Sequence, residues 1–227
     1  MAAVFVVSVV ALLGWAYHHQ NQPTYDALPQ PRLRAETDIV PVSGPRAGAS
    51  QNGSAPASTA DAVRPSPATQ IYIPNADADL RISTDVKPLD GCRRVIDPPH
   101  SGPGFGGVFG CTDFAQPGTT SPSLTVVAGH SSKDLETAFN RLYVQNDRLV
   151  GQLVYLRTEA SGDRWLVYRI TAVHVPSKKD LPYLPQVWGE PGASTAGRLL
   201  LVTCRQQPHV TPAVLNYIAV GRLVGLR

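Results

Sequence analysis

Residues 164–175 read Arg164-Trp165-Leu166-Val167-Tyr168-Arg169-Ile170-Thr171-Ala172-Val173-His174-Val175. Trp165, Val167 and Ile170, set against Arg164, Tyr168 and Arg169, give an imperfect two-residue alternation in a run rich in β-branched and aromatic side chains. That pattern favours a strand over a helix. Comparable apolar segments lie on both sides of it, at residues 70–74, 124–128, 149–157, 198–203 and 216–224, separated by clusters of Pro, Gly, Asp and Ser. Short strands punctuated by turn residues predict an all-β sandwich or barrel over residues 69–227. One helix is expected at residues 135–142, with Asp134 as its N-cap. No repeat with a period of about 20 to 50 residues interrupts this domain.

Upstream the texture changes. Residues 18–68 hold eight Pro, with four Arg balanced by four Asp or Glu, and show no apolar period. Such a segment buries too little surface to offset its chain entropy, and reads as a disordered linker. Residues 1–17, MAAVFVVSVVALLGWAY, carry no charged side chain and end on Trp15 and Tyr17. Their length is near the lower limit for a membrane span, and the aromatic end suits an interface. The stretch lacks a basic start and a good small-x-small cleavage site, so an uncleaved anchor is favoured over a cleaved signal or a buried helix. Anchor and linker together place the domain outside a cell membrane crossed once.

Composition narrows the function classes. The net charge is +3 and 16% of residues are charged, against about 25% in a typical soluble chain. A strongly basic nucleic-acid binder is excluded as a first reading. Three Cys are too few for a disulfide-built miniature or a four-thiolate zinc site. Cys92 and Cys111 flank a Gly/Pro-rich loop and are a candidate pair outside the cytoplasm, the alternative being two buried free thiols. Cys204 is then the spare thiol. It closes the apolar run Leu199-Leu200-Leu201-Val202-Thr203, as His130 follows the apolar run Val126-Val127-Ala128-Gly129. An imidazolium beside a thiol favours the thiolate, and the same His can protonate a leaving amine, so the two residues form a candidate acyl-transfer pair. An inert core cysteine is the plainer reading of Cys204 alone.

Around these residues the chain resembles the sortases, surface transpeptidases of Gram-positive bacteria. Leu201-Val202-Thr203-Cys204 resembles the family's TLxTC element, and Thr125-Val126-Val127-Ala128-Gly129-His130 its strand ending in the catalytic His. Phe139-Asn140-Arg141-Leu142 is similar to the short F-x-x-L helix. Gly151-Gln152-Leu153-Val154 is similar to the G-D-x-V start of a strand, with Gln152 in place of Asp. Gln70-Ile71-Tyr72-Ile73-Pro74 resembles the opening I-x-I-P strand. Val187-Trp188-Gly189 followed by Arg198-Leu199-Leu200 fits the approach to the nucleophile strand. The compact, proline-rich pattern looks most like the class E or F sortases of actinobacteria.

The resemblance implies an eight-stranded closed β-barrel with short helices. It implies Cys204 as nucleophile, His130 as acid/base and no cofactor or metal. It also implies an LPxTG-type sorting signal as substrate, and peptidoglycan or another amine as acceptor. One departure matters. The family's Arg early in the last strand has no counterpart here, since Val214 or Leu215 falls at that place. Arg205, Arg222 and Asn216 are the candidates to replace it, and none is assigned by sequence.

Other signals have plainer readings. His209 reads as a solvated loop residue, His18 and His19 as linker, and His100 and His174 show no ligand spacing. Gly102-Pro103-Gly104-Phe105-Gly106-Gly107 lacks the Gly-Lys-Ser/Thr of a phosphate loop and reads as a flexible loop bordering the cleft. Lys178-Lys179-Asp180 reads as a solvated turn, with substrate contact as the alternative. Two rival functions stand beside the transpeptidase: a catalytically impaired surface binding or assembly module, and an L,D-transpeptidase-type cell-wall enzyme.

Overall fold

The computed structural model describes residues 40–41, 62–210 and 212–227. Nine strands follow in chain order: β1 Val40–Pro41, β2 Ala68–Ile73, β3 Ile82–Leu89, β4 Val108–Cys111, β5 Thr125–Gly129, β6 Leu153–Thr158, β7 Leu166–His174, β8 Arg198–Arg205 and β9 Leu215–Leu226. Two short helices, α1 Asn140–Gln145 and α2 Pro185–Trp188, and several 3-10 turns lie between them. The sheet runs β1-β9-β7-β6-β2-β3-β4-β5-β8, and β8 pairs again with β9. That last pairing closes eight strands, β2 to β9, into a barrel. β1 is appended outside the ring, where Val40 and Pro41 face Leu226 and Gly225.

Most neighbours are antiparallel; β3–β4 and β5–β8 are parallel. Strict alternation decides what each strand does with its two faces. On β5 and β8, Val127, Leu199 and Leu201 point into the barrel and join Ile71, Ile73, Leu156, Tyr168, Ile170 and Ala219. Val126, Ala128, Leu200 and Val202 point outward, yet they are also buried, under a second cluster with Leu181, Val187, Cys92 and Cys111. Two loops supply that outer cover, one running from β3 to β4 and one from β7 to β8. Burial on both faces explains why these segments read as continuous apolar runs.

The two cysteines of the cover are joined: Cys92 and Cys111 form a disulfide across 19 residues, and Cys204 is free. The expected helix at residues 135–142 is displaced. Ser132 Oγ accepts the N–H groups of Asp134 and Leu135 and holds that stretch in a turn, so Asp134 caps nothing. α1 starts only at Asn140, whose N–H goes to the carbonyl and hydroxyl of Thr137.

The folded domain also begins before Thr69. Val63 is buried in the barrel core, and its N–H and carbonyl bond Thr119. Residues 1–17 and most of the segment read as linker lie outside the described residues. Among the described residues, no helix is long and apolar enough to cross a membrane.

Candidate active site

The parallel register of β5 and β8 brings the spare thiol and the histidine together. Thr125 faces Leu199, and each step along both strands keeps the pairing to Ala128 facing Val202. Continued two residues, the same register sets His130 level with Cys204. On the other side of β8, Cys204 pairs with Asn216 of β9. His130, Cys204 and Asn216 thus form a row across three adjacent strands. Directly paired cross-strand residues project to one face. By alternation from Val126, Ala128, Leu200 and Val202, that face is the outer one, between the two covering loops.

All three residues line one cleft of about 800 Å³. Its lining includes apolar side chains, among them Ile96, Leu181, Pro182 and the stacked pair Phe114 and Trp188, whose ring centres lie 5.9 Å apart.

Hydrogen bonds fix the ends of the strands. Ser131 Oγ donates to the carbonyl of Cys204, and Gln206 Nε2 donates to the carbonyl of Ser131 at 2.7 Å. Thr137 Oγ1 donates to the carbonyl of His130 at 2.7 Å. Gly129 is required by close approach, since a Cβ there would meet the Gly107 carbonyl oxygen at 3.0 Å and the Phe139 ring at 3.1 Å.

The β3–β4 loop holds the imidazole from above. His130 Nε2 lies 2.9 Å from the carbonyl oxygen of Pro98. A carbonyl only accepts, so Nε2 carries a proton and donates it, which leaves Nδ1 as the ring nitrogen not held by the loop. Phe105 stacks on the same ring, with centres 4.9 Å apart and planes 18° apart. His100, paired with Asp97 at 2.7 Å, lies 5.1 Å from it.

Of the residues singled out from sequence, His130, Cys204 and Asn216 meet in the cleft. Arg205 does not: it faces the opposite side of β8, donates to the Tyr143 carbonyl at 3.2 Å and lies over the Tyr143 ring. Arg222 pairs with Arg169 and Arg198 and donates to the Ala196 carbonyl. It stands six residues along β9 from Asn216, about 20 Å at strand rise. His209 and His174 lie outside the cleft, whereas Lys178 lines it.

The sequence reading missed Arg93 and Arg94, which line the cleft, and the place of His100 against His130. Arg93 is engaged elsewhere, donating from Nε to the Asp113 carbonyl at 2.7 Å and lying 5.2 Å from the Phe114 ring centre. The Gly-rich loop borders the cleft through Phe105, and part of it, Gly102–Gly104, is a 3-10 turn. Among the described residues, no group of three or more His, Cys, Asp or Glu is placed to hold a metal ion.

No curated protein matches the chain. Among solved structures, the SrtA sortase of Actinomyces oris is similar at 14% identity and a TM-score of 0.51, over 73% of this chain and 86% of that one. A Sortase E1 of Streptomyces coelicolor, solved with a tripeptide in its active site, is similar at 17% identity and a TM-score of 0.47, over 71% and 90%. Listeria monocytogenes sortase A is similar at 17% identity and 0.46, over 70% and 88%. The first of these supports the closed-barrel fold. The sortase domain family matches residues 71–224, well over half of the 227 residues and nearly the whole barrel, and the chain belongs to that family.

Proposed function

We propose that the protein is a cysteine transpeptidase that cleaves an LPxTG-type sorting signal and transfers the released acyl group to an amine of the cell wall. The observation that carries the reading is the row His130–Cys204 in a cleft lined in part by apolar side chains. His130, protonated at both nitrogens, pairs with the Cys204 thiolate; Nε2–H donates to Pro98 and leaves the Nδ1 side for proton exchange. The thiolate attacks the scissile carbonyl carbon. A C–S bond forms, and the carbonyl π pair moves onto oxygen. Collapse of that adduct re-forms the carbonyl and breaks the C–N bond, and the imidazolium gives its proton to the leaving amine. A thioester on Cys204 remains. An incoming amine then attacks it and loses its proton to His130, and the thiolate departs.

Within the family we place the chain nearest class E or F, on its compact, proline-rich sequence. The L,D-transpeptidase alternative falls with the family assignment. We read residues 1–17 as a single-pass anchor that presents the barrel outside the cell. Recovery of the tagged full chain in the membrane fraction is expected, and recovery in the soluble fraction would refute the anchor.

The activity is tested by incubating the full-length chain with a panel of LPxTG-type peptides and an amine. A mass increment on Cys204 equal to the acyl fragment, absent from His130→Ala, is expected. Normal alkylation of Cys204 with no acyl adduct and no cleavage across the panel would refute the transpeptidase and favour the binding module.

A further inference from the structure

Attack of the thiolate on a carbonyl places a full negative charge on oxygen, and a site that speeds this step holds a hydrogen-bond donor where that charge develops. Cys204 has a strand neighbour on each side. His130, just past the end of β5, is committed to proton transfer. Asn216 on β9 is the residue directly paired with Cys204.

Asn216 is 9% exposed, and it lines the same cleft. Its backbone N–H is held by the Pro176 carbonyl at 2.9 Å, which fixes the residue against the start of the β7–β8 loop. Its side-chain amide makes no hydrogen bond among the described residues. An Asn amide offers two donors, and most buried amides are hydrogen-bonded within the protein. One that is anchored by its backbone, paired with the nucleophile and part of the cleft lining is free to bond something that enters there.

We infer that Asn216 is a catalytic residue that donates a neutral hydrogen bond from its side-chain amide to the oxyanion formed on attack by Cys204. The assignment rests on the transpeptidase reading above. It makes this an acyl-transfer site in which the nucleophile strand's partner supplies no positive charge. The only cation required beside the thiolate is the His130 imidazolium. The developing charge sits on the carbonyl oxygen until the carbonyl re-forms, and Asn216 neither gains nor loses a proton.

The test separates oxyanion formation from thiol reactivity in the full-length chain. Single-turnover acylation by a signal peptide passes through an oxyanion, whereas alkylation of Cys204 by iodoacetamide does not. Asn216→Ala is expected to lower the acylation rate constant by about 100- to 1,000-fold, the range for losing one such donor. KM for the peptide should move less than about threefold, and alkylation less than about twofold. Asn216→Asp, isosteric but without donors, is expected to lose at least as much, and Asn216→Gln to recover part of the rate.

Acylation of Asn216→Ala and Asn216→Asp within about threefold of the parent would overturn the assignment. So would a parallel fall in alkylation, which would make Asn216 a positioning residue for the thiol. A loss of kcat in Arg94→Ala with Asn216→Ala unaffected would move the role to that arginine. A parent chain that alkylates normally but never acylates would instead sink the transpeptidase reading, and the Asn216 assignment with it.

Discussion

Replacing Cys92 and Cys111 together with Ala tests how the cover of the site is held. The two residues are 19 apart, and closing a loop of that size stabilises by about 3 kcal/mol in the chain-entropy account. In a domain of this size each kcal/mol moves Tm by about 2–4 °C. The double variant is therefore expected to melt about 6–12 °C lower, read by circular dichroism on the full chain at neutral pH without reductant.

A second consequence follows from what the loop carries. Between the two cysteines lie Pro98, His100 and Phe105, which hold the His130 ring by a 2.9 Å hydrogen bond and two ring contacts. Loosening the loop frees the imidazole, so alkylation of Cys204, then the sole cysteine, is expected to slow severalfold. A Tm change under about 2 °C with alkylation unchanged would refute both the chain-entropy magnitude and the coupling of loop to site.

Other substitutions probe separate contacts. Phe105→Ala removes the stacking partner of His130, and a severalfold slower Cys204 alkylation near neutral pH is expected, with Tm within about 3 °C of the parent. Gly118→Ala would set a Cβ 2.7 Å from the Pro65 nitrogen. Either residues 62–67 or the loop must shift, at a cost of about 1–3 kcal/mol, measurable by urea unfolding. Tyr168 is fully buried, and that burial pushes its phenol well above the usual value of 10. The unfolded chain ionises near pH 10 while the folded chain keeps its proton. This group's stability contribution is whole below pH 10 and is lost as pH rises above it. Tyr168→Phe is expected to flatten the alkaline fall in stability, and an unchanged alkaline slope would refute the assignment to this residue.

The strands that the sequence revealed are those buried on both faces or along most of their length, such as β5, β7, β8 and β9. β3 and β4 escaped notice. In β3, Asp85, Lys87 and Pro88 are exposed and only Ile82, Ser83 and Val86 are buried. A half-solvated run of charges with a Pro reads as non-strand. β4 has four residues with Gly110 among them, hidden inside a stretch that looked like one glycine-rich loop. The thiol and the histidine were legible as residues just past apolar runs. Their meeting was not, because it depends on a parallel pairing between strands far apart in the chain. His100 and Arg94 were illegible for a related reason. Their positions are set by a loop fastened at Cys92 and Cys111, and no periodicity encodes where such a loop lies.

The arginine question shows where strand geometry outweighs residue type. Arg205 follows the nucleophile directly, and for that reason it cannot share its face, because successive side chains on a strand point to opposite sides. Its guanidinium accordingly meets Tyr143 rather than the cleft. Arg222 lies on the correct strand and, by even spacing from Asn216, on the correct face, but three pairs of residues too far along. The residue beside Cys204 is decided by the register of β8 against β9, recorded from Arg198 with Arg222 to Arg205 with Leu215. A slip of one residue would present Leu215 or Tyr217 instead of Asn216 and turn the apolar faces of β9 inside out. Ile218 and Val220, buried in the outer cluster, and Tyr217 and Ala219, buried in the inner one, resist that slip. The same packing that closes the barrel therefore holds an amide, and not a guanidinium, next to the thiol.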